Sequence, residues 1–195
     1  VSLDIRVEND PIEFERNNVD LRLTYDARYY KEYYRTEIFT SVATPTCSPA
    51  FWDRYGSDDG TFGAVPAQYF LQNRWGPAYA SEPTWDDWFT STKSPEGLRD
   101  ASTISFTDTS LVIAAARRGL GIALAPKVLL RDDINARRLI LPSNVGLPMK
   151  YSYVAICPHG KLIEKSTQRI LRLLEQVATD ETANKYGCLA DDQSA

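Results

Sequence analysis

Three hydroxyl-bearing residues beside one aspartate are the side chains in this sequence best suited to bind a small molecule. They form the run Thr107-Asp108-Thr109-Ser110, directly before an alanine-rich stretch at residues 111–118. Asp, Thr and Ser cap helix N-termini, because their oxygens accept hydrogen bonds from the free N–H groups of the first turn. The run therefore predicts a helix start with free N–H groups and hydroxyls, which can receive a small anion. The alternative is that Thr109 and Ser110 only cap their helix.

The rest of the chain supplies the elements that must position this turn. Gly119 suits the left-handed position that ends a helix, and residues 121–125 are an apolar run typical of a buried strand, stopped by Pro126. Short strand patterns alternate with helical patterns, which predicts an α/β fold with mostly parallel sheets. We predict strands at residues 2–7, 19–24, 37–44, 69–75, 101–106 and 138–141, and helices at 11–17, 50–55, 84–89, 127–134 and 159–178.

Composition and charge exclude several functions for the chain itself. The chain has 22 Lys and Arg residues against 26 Asp and Glu residues, which gives a net charge of −4, and it has no stripe of basic residues. It is therefore not expected to bind DNA by itself. It has no apolar run of about eighteen residues that would span a membrane. Cys47, Cys157 and Cys188 are widely spaced, which predicts reduced thiols, and with His159 as the one histidine we predict no metal site.

No catalytic constellation is apparent in the residue pattern. A local nucleophile signature such as G-x-S-x-G is missing, and adjacent acidic residues such as Asp86-Asp87 and Asp132-Asp133 do not face each other, so they are predicted to be solvated surface. Gly119-x-Gly121 follows a helix instead of a strand and lacks a third glycine, which excludes a nucleotide cofactor. We predict that the chain is not an enzyme and needs no cofactor; a small hydrolase or transferase is the remote alternative.

An ordered set of motifs resembles the effector-binding domain of LysR-type transcriptional regulators over roughly residues 3–175. The pair Trp85 and Trp88 is similar to the W-x-x-W of the branch that includes glycine-cleavage and β-lactamase activators. The other matching segments are Asn18-Val-Asp-Leu-Arg-Leu23, the crossover at residues 38–49, Gly119-Leu-Gly-Ile-Ala-Leu-Ala-Pro126, Arg138-Leu-Ile-Leu-Pro142 and Tyr151-Ser-Tyr-Val-Ala-Ile156.

The resemblance implies two Rossmann-like subdomains joined by two crossover strands, as in type II periplasmic binding proteins. Subdomain RD1 would comprise residues 1–43 and 150–195, and RD2 residues 44–149. The family's winged helix-turn-helix, with the first strand and helix of RD1, would precede this chain. The resemblance further implies a cytoplasmic homodimer or homotetramer that reaches DNA only through that winged helix-turn-helix. A periplasmic-type solute-binding protein shares the two-lobed architecture and is the main alternative.

By the same resemblance, polar residues at strand ends would line an effector cleft between RD1 and RD2. Ligands of open α/β sheets bind beyond the carboxyl ends of strands, where helix N-termini point. Tyr153, on the return strand, matches a position from which the β-lactamase-activator branch reaches its ligand. We expect a small anionic or amino-acid-like effector. The predicted effector-binding residues are Thr24, Tyr25, Thr44, Thr46, Thr107, Thr109, Ser110 and Tyr153.

Residues 25–30 depart from the family pattern, because a glycine-bearing R-x-G is replaced by bulk and charge. One hypothesis is that Arg28 or the neighbouring tyrosines shape an unusual ligand pocket, since a guanidinium suits a carboxylate. The alternative is a solvated Arg28. Alternatives also remain for the other residues: Thr44 and Thr46 as plain strand residues, and Tyr25 as a surface aromatic.

Overall fold

The computed structural model describes residues 3–8, 11–57, 61–74, 83–93 and 104–187, with side chains up to residue 176. The chain forms two compact units: unit 1 comprises Val1–Thr40 and Tyr151–Ala195, and unit 2 comprises Ser41–Lys150. None of the helices in the described ranges is long and apolar enough to cross a membrane.

Helices and strands alternate along the chain, which confirms the predicted α/β class. The helices are α1 (Phe14–Asn17), α2 (Pro49–Tyr55), α3 (Trp85–Ser91), α4 (Thr109–Arg117), α5 (Arg131–Asn135) and α6 (Lys165–Gly187); the strands are β1 (Arg22–Tyr25), β2 (Tyr34–Phe39), β3 (Val42–Thr46), β4 (Phe70–Asn73), β5 (Ser105–Phe106), β6 (Ile122–Pro126), β7 (Leu147–Pro148) and β8 (Tyr153–Cys157).

The strand directions differ from those expected. In unit 1, β8 lies between β1 and β2 and is antiparallel to both. In unit 2 the order is β5-β4-β6-β3-β7, with β4 parallel to β5 and β6, and β3 antiparallel to β6 and β7. The prediction of mostly parallel sheets is therefore wrong for the described strands. A strand buried on both faces reads as a continuous apolar run whichever way it points, so its direction is not visible in the sequence.

The helix and strand predicted around Gly119 are confirmed. α4 begins at Thr109, two residues before the alanine-rich stretch, and Gly119 has a φ of 75° just after its end. All five residues of β6 are buried. A glycine is needed at position 121 because the backbone of Tyr69 passes close to it: a Cβ on residue 121 would lie 2.2 Å from the carbonyl oxygen of Tyr69. Small residues thus let α4 and β6 pack tightly in the core of unit 2.

Two shorter helices of unit 2 begin at side-chain caps, of which the sequence predicts that of Thr84. Ser48 accepts a hydrogen bond from the N–H of Phe51 at the start of α2. Thr84 and Asp87 form a reciprocal capping box on α3, which satisfies two backbone donors at once. This helix brings Trp85 and Trp88 into an aromatic core cluster of unit 2.

Three of the predicted strands are wrong in whole or in part. Residues 3–8 are not a strand and are exposed, because no described strand pairs with them. The predicted strand 138–141 reduces to an isolated bridge between Ile140 and Cys47. The predicted strand 37–44 is divided between β2 and β3, with a break at Thr40 and Ser41. Alternating apolar and polar residues or a high content of β-branched residues favour a strand, but the strand forms only where a neighbouring strand pairs with it.

The last predicted helix has a different start and end. Residues His159–Ile163 form a 3₁₀ turn, and α6 then runs from Lys165 to Gly187, beyond the predicted end at residue 178. Parts of three predicted strands, at residues 2, 75 and 101–103, lie outside the described residues.

Candidate functional site

Asp108 occupies the helix start that was predicted to receive an anion. Its Oδ1 accepts hydrogen bonds from the N–H groups of Ser110 at 2.8 Å and Leu111 at 3.1 Å. The expectation of free first-turn N–H groups is therefore wrong for these two donors, and the cap brings its own negative charge. Thr109 and Ser110 are the first residues of α4 and not its caps, so the capping alternative does not explain them.

Asn73 joins Thr109 at the end of the unit 2 sheet. Its Nδ2 donates to Oγ1 of Thr109 at 3.2 Å, and its Oδ1 is buried without a hydrogen-bond partner among the described residues. A buried acceptor without a donor is costly, so it favours a ligand or water that donates. Thr107 and Ser110 are exposed beside this pair. Asn73 is not among the predicted site residues, although its place near the end of a predicted strand was a usable signal.

The two threonines of β3 are buried and bonded to backbone carbonyls. Thr46 donates to the carbonyl oxygen of Ile140 at 3.0 Å, and Thr44 donates more weakly to that of Val145 at 3.5 Å. Each hydroxyl therefore helps to hold a neighbouring segment of unit 2. This geometry supports the alternative in which both are plain strand residues.

Tyr25 is buried, so the surface-aromatic alternative is wrong. Only 4% of it is exposed, and its Oη accepts a hydrogen bond from the N–H of Tyr151 at 3.0 Å. Tyr25 and Tyr153 are register partners on β1 and β8, with ring centroids 5.5 Å apart. Thr24, also buried, donates to the carbonyl oxygen of Tyr25. Unit 1 thus brings the rings of Tyr25 and Tyr153 together, whereas Thr24, the preceding residue on β1, lies on the opposite face of the sheet.

Arg28 is held in place, although its side chain is 41% exposed. Asp26 has a φ of 64°, and its carboxylate accepts hydrogen bonds from the backbone N–H and the Nε of Arg28. This side-chain hydrogen bond raises the pKa of Arg28 above its ordinary value. The guanidinium carbon lies 5.1 Å from the ring centroid of Tyr151. The exposure of Arg28 agrees with the alternative of a solvated side chain, although Asp26 and the ring of Tyr151 also hold its guanidinium.

A pocket of about 200 Å³ lies beside Arg28 in unit 1. Arg35 and Glu37 from β2 and Ser152 from the segment before β8 also line it. None of these three residues is among the predicted effector-binding residues. Arg35 and Glu37 carry a weak signal, because residues two apart on a strand share a face.

Asp133 is buried, which corrects the prediction that its acidic pair is solvated surface. Only 4% of it is exposed, and it forms ion pairs with Arg117 and Arg138. Burial alone would raise the pKa of Asp133, but hydrogen bonds from Arg138 and Arg117 hold it below its ordinary value. Its neighbour Asp132 is exposed, as expected. The sequence could not show that Arg117, sixteen residues away, and Arg138, five residues away, converge on Asp133.

The two described cysteines are buried free thiols. Burial raises the pKa of Cys47 to about 12, which makes it a poor nucleophile, and it also raises that of Cys157. Within the described ranges, no group of His, Cys, Asp and Glu side chains could hold a metal ion.

Comparison with known proteins gives one consistent family. The LysR substrate binding domain model matches residues 1–179. The HTH-type transcriptional regulator PerR of Escherichia coli K12 is 26% identical over 147 residues, covering 72% of this chain and 44% of PerR. The regulator DsdC of the same organism is 22% identical over 181 residues, covering 92% of this chain and 57% of DsdC. The chain spans about half the length of these curated relatives.

A solved structure shows the same fold. The effector domain of the transcriptional regulator AmpR of Pseudomonas aeruginosa superposes with a TM-score of 0.70 at 17% identity, covering 92% of this chain and 82% of that one. The chain therefore has the type II periplasmic-binding-protein-like fold expected from its motifs.

Proposed function

Because the chain belongs to the LysR substrate-binding domain family and is a ligand-sensing regulatory domain, we propose that it senses a small anionic or amino-acid-like effector. In unit 2 the effector would bind at Asn73, Thr109, Ser110 and Thr107. The observation that carries this proposal is the buried Oδ1 of Asn73, which lacks a donor beside the start of α4. An effector N–H or O–H group placed there would satisfy it.

Unit 1 would contribute the end of β1 and the start of β8. Tyr25 and Tyr153 form one aromatic cluster there, and Thr24 precedes Tyr25 on the strand. We equate unit 1 with RD1 and unit 2 with RD2 of the family. The effector must bind one setting of the two subdomains better than the other, because a ligand with equal affinity for both shifts no population.

The action of the whole protein is proposed from the family. The matched relatives are described as HTH-type transcriptional regulators and are about twice as long as the matched segment. A winged helix-turn-helix outside this chain would bind DNA, in a cytoplasmic homodimer or homotetramer. The effector would act on that assembly without being chemically changed. The same relatives favour a regulator over the alternative of a periplasmic-type solute-binding protein.

A ligand screen with one variant tests the unit 2 site. Amino acids and small carboxylates are first screened for those that raise the melting temperature. Thr109→Ala is then expected to weaken binding of each positive compound about tenfold, which is the loss of roughly one hydrogen bond. Thr90→Ala, at an exposed position of α3, is the matched control. Unchanged affinity in Thr109→Ala, measured by calorimetry, would remove Thr109 from the site.

A further inference from the structure

The pocket in unit 1 combines two carboxylates with two guanidiniums. Asp26 and Arg28 come from the turn after β1, and Arg35 and Glu37 come from β2. These four charges cancel, so the pocket has no net charge with which to attract a simple anion or a simple cation. The turn and the strand each contribute one charge of each sign, so a ligand that carries both charges can find a partner for each.

Arg28 is oriented before any ligand arrives. The N–H of Asp26 donates to the carbonyl oxygen of Ser152 at 3.2 Å, which ties the turn to the segment before β8. The carboxylate of Asp26 then holds Nε of Arg28, and the ring of Tyr151 supports the guanidinium. Neither Nη1 nor Nη2 donates to a described residue. Two parallel N–H groups of this kind suit a carboxylate.

Arg35 and Glu37 extend the pocket with a second donor and an acceptor. They lie two residues apart on β2, roughly 7 Å along the strand and on the same face. Arg35 makes no hydrogen bond or ion pair with any residue in the described part of the chain. Glu37 accepts a hydrogen bond from Oγ of Ser152 through Oε2 at 3.2 Å, and its Oε1 has no such partner. A carboxylate oxygen thus lines the same pocket as two guanidiniums with spare donors.

We propose that this pocket binds a zwitterionic α-amino acid, with the α-carboxylate on Arg28 and Arg35 and the α-ammonium on Glu37. A plain carboxylate would leave Glu37 as a repulsive neighbour, and a plain amine would meet two guanidiniums. The volume of about 200 Å³ is below the range of about 300–1,000 Å³ for drug-sized ligands. It therefore fits a single amino acid better than a nucleotide or a peptide. The inference rests on the proposed function and names the effector class and its unit 1 contacts.

Derivatives of the amino acid that lack one of its two charges test whether the pocket recognises both the carboxylate and the ammonium. The twenty common L-amino acids and their D-isomers are screened by thermal shift, and the tightest binder is measured by calorimetry. Its amide, which lacks the carboxylate, and its N-acetyl derivative, which lacks the ammonium, are each expected to bind at least about tenfold more weakly.

Variants then test which side chains bind the carboxylate and which binds the ammonium. Arg28→Ala and Arg35→Ala are expected to weaken binding of the amino acid about tenfold while hardly weakening that of its amide. Glu37→Gln should weaken the amino acid similarly but leave the N-acetyl derivative almost unchanged. Arg172→Ala and Glu15→Gln, both exposed in unit 1, are matched controls. The melting temperature without ligand verifies that each variant folds.

The outcomes separate this inference from the proposed function. It is overturned if no amino acid binds, or if the Arg28 and Glu37 variants bind the amino acid as the controls do. If only a small carboxylate binds, and Thr109→Ala alone weakens it, the inference fails and the unit 2 site stands. Amino-acid binding that depends on Arg28 and Glu37 but not on Thr109 supports the inference and removes the proposed unit 2 site.

Discussion

The polar side chains at the strand ends are neutral in the candidate site of unit 2 and charged in that of unit 1. At the end of the unit 2 sheet the ligand-facing candidates Asn73 and Thr109 are neutral, and the nearby carboxylate of Asp108 is already used by the helix. Unit 1 carries charged side chains, with Arg28 fixed by Asp26. We therefore expect charge to select the ligand in unit 1, and unit 2 to contribute neutral hydrogen bonds.

The surroundings of the two candidate sites differ as well. Unit 2 is built on close backbone approach, with Gly121 and the alanines of α4 against the sheet. In unit 1, aromatic rings surround the end of β1, where Tyr25 lies 5.9 Å from Tyr151 between ring centroids. Close backbone packing leaves no room for a larger residue, whereas removing one hydroxyl from a cluster of packed rings costs little because the ring contacts remain. The two units should therefore respond differently to mutation.

The largest expected effect follows from the tight packing of unit 2. Gly121→Ala should lower the free energy of unfolding by about 3 kcal/mol, because the new Cβ would meet backbone and not a flexible side chain. Urea unfolding measures this difference. The control is Gly160→Ala in unit 1, where a Cβ would have no neighbour within 4 Å. Equal stability of the two variants would contradict the contrast between the units.

A smaller effect tests whether a buried charge in unit 2 is structural. Asp133→Asn should lower the free energy of unfolding by about 2 kcal/mol at neutral pH, because Arg117 and Arg138 lose their partner but remain partly solvated. The folded-state pKa of Asp133 is depressed. Its stabilisation is therefore present above the unfolded value of about 3.9 and is lost as the pH falls through the folded value.

The neighbouring residue Asp132 provides the control for the measurement of stability against pH. The stability difference between the parent protein and Asp133→Asn should narrow as the pH is lowered towards 3, whereas the exposed Asp132→Asn should differ little at any pH. Should the Asp133 difference stay constant over this range, the ion pair would not be its source.

The smallest expected effect concerns the aromatic cluster of unit 1. Tyr25→Phe keeps the ring contacts and removes the acceptor of the Tyr151 N–H, so the free energy of unfolding should fall by about 1 kcal/mol. Tyr29→Phe, at an exposed tyrosine, is the control and should be neutral. A large loss of effector affinity in Tyr25→Phe without a loss of stability would show that the hydroxyl contacts the ligand instead.

Local signals explain most of what could be predicted. The starts of α2 and α3, the end of α4 at Gly119 and the buried strand β6 all depend on residues within a few positions of each other. Family motifs added the fold and the ligand-sensing role. Strand partners were less accessible, since residues 3–8 alternate like a strand but have no described neighbour to pair with.

The sequence by itself determined the class of fold, the α4–β6 segment and the polar run at its start. Only the tertiary structure decided that Asn73 would meet Thr109 and that Asp133 would be buried between two arginines. It also assembled Arg28, Arg35 and Glu37 around one pocket. The physical reason is range: caps and apolar periods are set by neighbours along the chain, whereas a side chain's partner and its burial depend on segments that only folding brings together.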